Sequence, residues 1–396
     1  MPFSIYLHIP YCSVRCAYCD FNTYAGLEAS MPAYARALAA EVQLVGKAYV
    51  AAHGQPARVH TIFFGGGTPS LLPLEAYTEI FNALRGHFAL TPDCEITMEA
   101  NPGTVSRAYL EGARALGFNR LSFGVQSSHP HELRLLDRLH LFGDVAQAVS
   151  WARAAGFDNL NLDVIFGIPH QTLGMWQATV HRILGLGPEH ISAYALSLEH
   201  GTPMRAWVYK GLLPMPDPDL AAEMYEWASE IFEKHGFVQY EISNWAKGDG
   251  RRQTTDFACR HNLQYWRNQP YLGLGAGAHG YAENTRYSNV LAPAAYIQRF
   301  ENAEARPFPL SPALAQKTVL TEKDELGETM MMGLRLVQEG VADSDFERRF
   351  GVRLAEKYPQ ELKTLAARGL LEWNGECVRL TKAGRLLGNQ VFREFI

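Results

Sequence analysis

The stretch "YLHIPYCSVRCAYCDF", Tyr6 to Phe21, runs from a short apolar segment into a loop that holds three cysteines. Residues 4–9, "SIYLHI", read as a first β-strand. Cys12, Cys16 and Cys19 follow in the spacing C-x3-C-x2-C, half of the six cysteines in a 396-residue chain. Three thiolates so spaced can hold three corners of a [4Fe–4S] cubane, leaving the fourth iron open to a small molecule. The competing reading is zinc. A structural zinc site takes four ligands in paired spacing, and no second C-x2-C or H-x3-H pair follows. His8 is the remaining candidate for a fourth ligand, although it lies within the expected strand. Cys94, Cys259 and Cys377 are isolated, and Cys94 and Cys377 read as small buried hydrophobes.

Composition sets the outer limits. Hydrophobic residues make up 47% and charged residues 19%, an ordinary soluble balance. Thirty-six basic against 41 acidic residues give 36 − 41 = −5, which argues against a broad nucleic-acid surface and sets nucleic acid aside as a partner. No run of about 18 apolar residues is present, and the N-terminus lacks the marks of a signal peptide. The expectation is a cytoplasmic protein, where thiols stay reduced and clustered cysteines indicate metal or redox chemistry.

Five more apolar runs follow the first: "HTIFFGG" (60–66), "EITMEAN" (95–101), "RLSFGVQ" (120–126), "NLNLDVIFG" (159–167) and "HISAYALSL" (190–198). Between them lie segments of helical spacing, among them "PAYARALAAEVQLVG" and "LEAYTEIFNALRGHF". This alternation predicts parallel strands with helical crossovers, in an incomplete (β/α) barrel or an open doubly wound sheet. Residues 243–290 show no clear period, and "EARPFPLSPA" (304–313) reads as a linker. Helices near 323–337 and 356–369, then an Asn-Gly hairpin in "LLEWNGECVRLT", predict a small α+β, winged-helix-like module. The expected domains are a core at 1–235, an extension at 236–310 carrying "RHNLQYW", and a C-terminal domain at 311–396.

The strand ends carry polar groups. "FFGGGTPS" places Gly65, Gly66, Gly67 and Thr68 after the second strand, where missing Cβ atoms let backbone approach a ligand. Glu99, Gln126 and Asp163 end or lie near the ends of later strands, and Arg138 follows the fourth. Ligand sites of parallel α/β folds lie at the C-terminal strand ends. A buried carboxylate ending an apolar strand needs a partner.

The cysteine spacing after a first strand resembles the radical S-adenosylmethionine (radical SAM) superfamily. Further stretches, "GGGTPS", "NRLSFGVQS", "DVIFGIPHQT" and "CRHNLQYWRNQPYLGLGAGAH", are similar to its oxygen-independent coproporphyrinogen III oxidase branch over nearly the whole chain. The resemblance implies a partial (β/α)6 barrel, a [4Fe–4S] cluster on Cys12, Cys16 and Cys19, and SAM chelated at the open iron and cleaved to a 5′-deoxyadenosyl radical. It implies that Gly66, Gly67 and Thr68 meet the SAM amino group. Glu99, Gln126 and Asp163 meet its ribose or methionine part, Arg138 pairs with its carboxylate, and Tyr6 packs against it or hydrogen-bonds it. The branch contains the oxidase and a haem-chaperone group. Three features favour the chaperone group: Phe21 stands where the oxidase has a further cysteine, no long extension precedes Cys12, and "RHNLQYW" matches H-N-x-x-Y-W. In that group the histidine, here His261, is implicated in binding haem, with Cys259 as its rival. His279 is a candidate for lining the SAM site. The implied partners are haem, haem-accepting proteins at a membrane, an electron donor, and a second copy in a homodimer. The enzyme alternative is oxidative decarboxylation of coproporphyrinogen III.

Overall fold

The six apolar runs form the expected strands: β1 (Phe3–Ile9), β2 (Arg58–Gly66), β3 (Ala89–Ala100), β4 (Arg120–Gln126), β5 (Leu160–Phe166) and β6 (His190–Ala195). The structure, a computed structural model, describes residues 2–248 and 257–396. Neighbouring strands are parallel and lie in the order in which they occur along the chain. A doubly wound sheet would reverse direction part-way along its order; an unreversed order is that of a barrel arc. Helices Met31–His53, Leu74–His87, Arg107–Leu116, Phe142–Ala154 and Leu173–Gly185 make the crossovers. The signals for their ends are local. Ser106 and Thr172 cap with their side-chain oxygens, and Gly117 closes a helix at φ 118°.

Alternation sorts the strand side chains into two layers. Ile5, Leu7, Ile62, Phe64, Met98, Leu121, Phe123, Leu162 and Ile191 share the face under the helices and are buried. There Phe64 meets Tyr77, Phe81 and Phe118 at centroid distances of 5.2, 5.7 and 5.1 Å. The other face is polar. Register aligns Ser4 with Thr61, Glu99 with Ser122, Ser122 with Asn161, Gly124 with Asp163, and Asp163 with Ser192. This inner face leads up to the candidate site.

Residues 243–290, which showed no period, contain a seventh parallel strand. Tyr271–Leu274 pairs with β1, Ser4 opposite Tyr271 and Leu7 opposite Leu274, and the antiparallel strands His279–Ala282 and Thr285–Asn289 extend it. The stretch expected as a linker is packed instead: Phe308 and Ala313 are buried, and the Ser311 hydroxyl donates to buried Glu41 at 2.5 Å. Glu41 also accepts from Tyr296 Oη, Gly275 N and Asn289 Nδ2.

The chain forms two compact units, and neither is a continuous segment. The first is Met1–Ala228 with Tyr271–Thr318; the second is Ser229–Pro270 with Val319–Ile396. The expected 236–310 extension is therefore divided, because Tyr271–Leu274 completes the edge of β1. In the second unit Glu322–Gly333, Val341–Ala342, Asp343–Phe350, Pro359–Ala367, Leu371–Trp373 and Cys377–Leu380 run helix, strand, helix, helix, strand, strand, the winged-helix order. Its three strands pair antiparallel around a core that includes Met330, Leu334, Phe346, Leu365, Val378 and Phe392. The hairpin turns at Asn374, whose Oδ1 accepts from Glu376 N and Cys377 N.

Candidate functional site

The C-terminal ends of β1–β6 open into a cavity of about 670 Å3 in the first unit. Cys12, Cys16 and Cys19 line it together with Gly66, Gly67, Thr68, Glu99, Gln126, Arg138 and Asp163. All the residues inferred for cluster and SAM therefore meet at one cavity except Tyr6, which does not line it. The Tyr6 hydroxyl is 2.9 Å from His8 Nδ1, and His8 Nε2 is 2.9 Å from the Asn22 carbonyl. A carbonyl only accepts, so Nε2 carries the proton and Nδ1 accepts from Tyr6. Both His8 nitrogens are engaged, which removes His8 as a fourth metal ligand. His279 is exposed and also lies off the cavity wall.

The cysteine loop is held by main chain. Gly67 N donates to Ile9 O at 2.8 Å and Thr68 N to Tyr11 O at 2.7 Å. A Cβ on Gly67 would lie 2.5 Å from Tyr11 O and 2.9 Å from Ile9 O. Only glycine allows the two loops to lie this close. Asn22 closes the other end of the loop, its Nδ2 donating to Ala276 O and Leu291 O at 3.1 and 2.9 Å. The three thiols are partly exposed and unpaired with one another. Burial pushes the thiols of Cys12 and Cys19 above their ordinary range. The Thr68 hydroxyl is 3.6 Å from Cys12 Sγ, and Arg138 Nη1 is 3.5 Å from Cys16 Sγ. Among the described residues no three His, Cys, Asp or Glu side chains are grouped closely enough to hold a metal ion.

The deep wall holds two buried carboxyls. Gly66 N donates to Glu99 Oε2 at 3.1 Å, and burial, then the charge of Asp163, pushes Glu99 up to about 7. Asp163 is also raised by burial, opposed by its hydrogen bonds and by Arg120. Ser122 Oγ and Asn161 Nδ2 donate to it at 2.9 and 2.7 Å. Arg138 donates from Nη2 to Gly124 O at 2.7 Å, while its buried Nε has no hydrogen-bond partner. Gln126 ends β4 at φ 65°, a left-handed backbone that costs a non-glycine residue about 1 kcal/mol or more and that concentrates at functional sites.

Sequence reading missed His140. It lines the cavity, donates from Nε2 to Val125 O at 3.1 Å, and has a buried Nδ1 without a partner. Burial, then the charge of Arg138, lowers it to about 4, so its free nitrogen is an acceptor at neutral pH. Its only sequence signal is that it lies two positions beyond Arg138.

His261 and Cys259 belong to the second unit. His261 is buried on the helix Arg260–Trp266, its Nε2 2.9 Å from the Tyr265 hydroxyl one turn on. Cys259 is fully buried at the N-cap of that helix.

Residues 6–183 match the radical SAM superfamily and residues 320–387 the HemN C-terminal domain. The chain is 37% identical over 398 residues to the heme chaperone HemW of Mycobacterium tuberculosis (strain ATCC 25618 / H37Rv), covering 100% of this chain and 95% of that protein. It is also 37% identical to the heme chaperone HemW of Bacillus subtilis (strain 168), covering 99% of both chains. This chain belongs to the HemW family of radical SAM proteins. The chain is also 36% identical to the mitochondrial radical S-adenosyl methionine domain-containing protein 1 of Bos taurus, covering 84% of this chain and 73% of that one. The fold is shared with the coproporphyrinogen III oxidase HemN of Escherichia coli, at TM-score 0.81 and 24% identity over 100% of this chain and 90% of that one.

Radical SAM membership implies a [4Fe–4S] cluster and SAM, and the HemW-type cavity fits both. Three thiols face it beside a guanidinium that compensates thiolate charge. An orphaned Arg138 Nε suits a carboxylate, and two buried carboxyls suit a sulfonium and ribose hydroxyls.

Proposed function

We propose that this protein is a cytoplasmic haem chaperone that holds a [4Fe–4S] cluster and SAM in the cavity of its first unit, binds haem, and passes it to acceptor proteins. The reading is carried by the 37% identity to proteins named heme chaperone HemW, which runs end to end and so spans both units. On this reading Cys12, Cys16 and Cys19 hold the cluster, Arg138 orients the SAM carboxylate, and Glu99 and Asp163 take its polar groups. Bound there, the cluster would supply one electron to the sulfonium of the SAM whose amino and carboxylate groups hold its open iron. His261 is the axial ligand, and ligation replaces its hydrogen bond to Tyr265. An electron donor, a membrane acceptor and a second copy of the chain are the remaining partners of this reading.

The cavity itself disfavours the oxidase alternative. Asp20, Asp137, Asp144 and Glu199 line it in addition to Glu99 and Asp163, against Arg138 as the single arginine or lysine among the described lining residues. Coproporphyrinogen III carries four carboxylates. Each like-charge approach to about 4 Å is unfavourable by about 1–4 kcal/mol between bulk water and a protein surface. A sulfonium cation suits such a wall; a tetracarboxylate does not. Phe21, 63% exposed, also stands in place of a further cysteine.

The test pairs two measurements on anaerobically reconstituted full-length protein. Haemin titration is expected to give a saturable Soret shift. Incubation with coproporphyrinogen III, SAM and a reductant is expected to release no CO2 above the protein-free control. Turnover to protoporphyrinogen IX would reject the reading.

A further inference from the structure

The second unit has a pocket of its own, of about 270 Å3, with Ile242, Leu386, Leu387 and Phe392 as its apolar wall and Arg335 and Arg385 as its charged one. No carboxylate lines it. Leu386 and Leu387 are each 41% exposed, so apolar surface and cationic surface are presented side by side.

The two arginines lack the partners that partly buried guanidinium groups ordinarily have. Arg335 is half-buried between two rings, its guanidinium carbon 5.1 Å from the Trp266 centroid and 4.8 Å from that of Phe392. Its Nε is buried without a hydrogen-bond partner, and its guanidinium makes no hydrogen bond among the described residues. The carboxylate that acts on it through space is Glu241, which is already bonded to Asn244 Nδ2 and to Ser243 N. Arg385 donates from Nη1 to Gln239 Oε1 at 2.9 Å, and its Nε too is buried without a partner. An arginine offers five donors in a fixed fork that matches a carboxylate. Withdrawn from water without an acceptor, it incurs a desolvation penalty that an anion removes. The aromatic clamp fixes the plane of Arg335, and Gln239 anchors Arg385, so both forks are pre-oriented.

We infer that Arg335 and Arg385 form a carboxylate site in the second unit, and that its occupant is the propionate-bearing edge of haem seated on the Ile242, Leu386, Leu387 and Phe392 wall. The inference rests on the haem-chaperone reading and locates part of its ligand. Haem combines an apolar aromatic face with two carboxylates on one edge, which is the chemistry the pocket presents. A pocket of about 270 Å3 receives that edge and leaves the rest of the macrocycle outside it. Trp266, the last residue of "RHNLQYW", is a positioning residue: it holds Arg335 by its ring.

The experiment titrates full-length protein with haemin, with iron-free protoporphyrin IX and with protoporphyrin IX dimethyl ester, following tryptophan fluorescence. Arg335→Gln and Arg385→Gln are each expected to weaken haemin and protoporphyrin IX by about 10- to 100-fold, the loss of one charge-assisted contact, and to leave the ester unchanged. Arg335→Lys, which keeps the charge and loses the fork, is expected to fall between. Near-UV circular dichroism checks folding, and Arg385→Gln decides the matter if Arg335→Gln fails to fold. Haemin binding unchanged in Arg385→Gln overturns the site while leaving the chaperone reading intact. A wild type that binds neither haemin nor protoporphyrin IX overturns both. An equal loss for the ester shows packing instead of carboxylate recognition and overturns the site. Palmitate, another apolar carboxylate, is the competing probe: arginine-dependent binding of palmitate with arginine-independent binding of haemin overturns the haem assignment.

Discussion

Replacing Glu99 by Gln is expected to stabilise the first unit and weaken its site, with a size that depends on pH. Glu99 faces the cavity from the polar side of β3, where burial and the charge of Asp163 push its carboxyl from 4.5 up to about 7. Below pH 4.5 the group is protonated in the folded and unfolded chain alike and contributes no difference. Between 4.5 and 7 the unfolded chain releases a proton that the folded chain retains, so stability falls as pH rises. Above 7 the folded chain carries the full penalty of a buried charge, about (7 − 4.5) × 1.36, or about 3 kcal/mol. Glutamine removes this penalty and keeps an oxygen to accept from Gly66 N, which donates to Glu99 at 3.1 Å. Urea unfolding of cluster-free protein at pH 5 and pH 8.5 measures the effect. The variant is expected to gain about 2–3 kcal/mol over wild type between the two pH values, while its affinity for SAM falls about tenfold or more. Asp163 and Glu241, also raised by burial, are present in both proteins and cancel to first order. A stability difference that does not change with pH would refute the reasoning, because it would show that Glu99 does not carry its charge at the expense of folding.

Three further outcomes follow from the same geometry. Arg138→Gln is expected to weaken SAM by about 10- to 100-fold in calorimetry at unchanged iron content, since it removes a charge-assisted contact and leaves the three thiols in place; lost iron instead would make it a cluster residue. Gly67→Ala places a Cβ 2.5 Å from Tyr11 O, and main chain on both sides cannot yield cheaply, so a loss of about 2 kcal/mol or more in stability and a failure to retain iron are expected in denaturation and iron assays. His261→Ala is expected to abolish the haemin Soret shift that Cys259→Ala preserves; a shift unchanged in His261→Ala would remove the axial assignment.

How much of this was legible in the sequence depended on how local the determining contacts are. Strand β4, read as 120–126, occupies Arg120–Gln126, and β5, read as 159–167, occupies Leu160–Phe166, because alternation and flanking turns are properties of the segment itself. Glu99 and Asp163 were visible for a related reason: a carboxyl ending an apolar run conflicts with its surroundings. What escaped notice was set by distant partners. "YLGL" is too short to show a period, and its pairing with β1 joins opposite ends of the first unit. "EARPFPLSPA" has the composition of a linker, yet Ser311 bonds a carboxylate 270 residues upstream. Glu41 itself sits in a helix of ordinary amphipathic look, and nothing near it indicates that four donors from beyond residue 270 enclose it. His140 was hidden among fourteen histidines, since its role rests on an unpartnered Nδ1 that only packing creates.

Charge separates the two candidate ligands. The cavity of the first unit is lined by six acidic residues and one arginine, and burial raises the carboxyls of Glu99, to about 7, and of Asp163, a surface that recruits a cation and resists a polycarboxylate. The pocket of the second unit presents two arginines, no carboxylate and an exposed aliphatic wall, a surface with the opposite preference. A net charge of −5 over the whole chain conceals this division, because it averages an acidic cavity with a basic pocket. If both assignments hold, electrostatics would direct the sulfonium of SAM and the propionates of haem to different units before any specific contact forms. Haem and SAM are then expected to bind without competing, and a haemin titration curve unchanged by saturating SAM is the result this sorting requires. Displacement of one by the other would place both in the acidic cavity and would leave the two arginines without a role in binding.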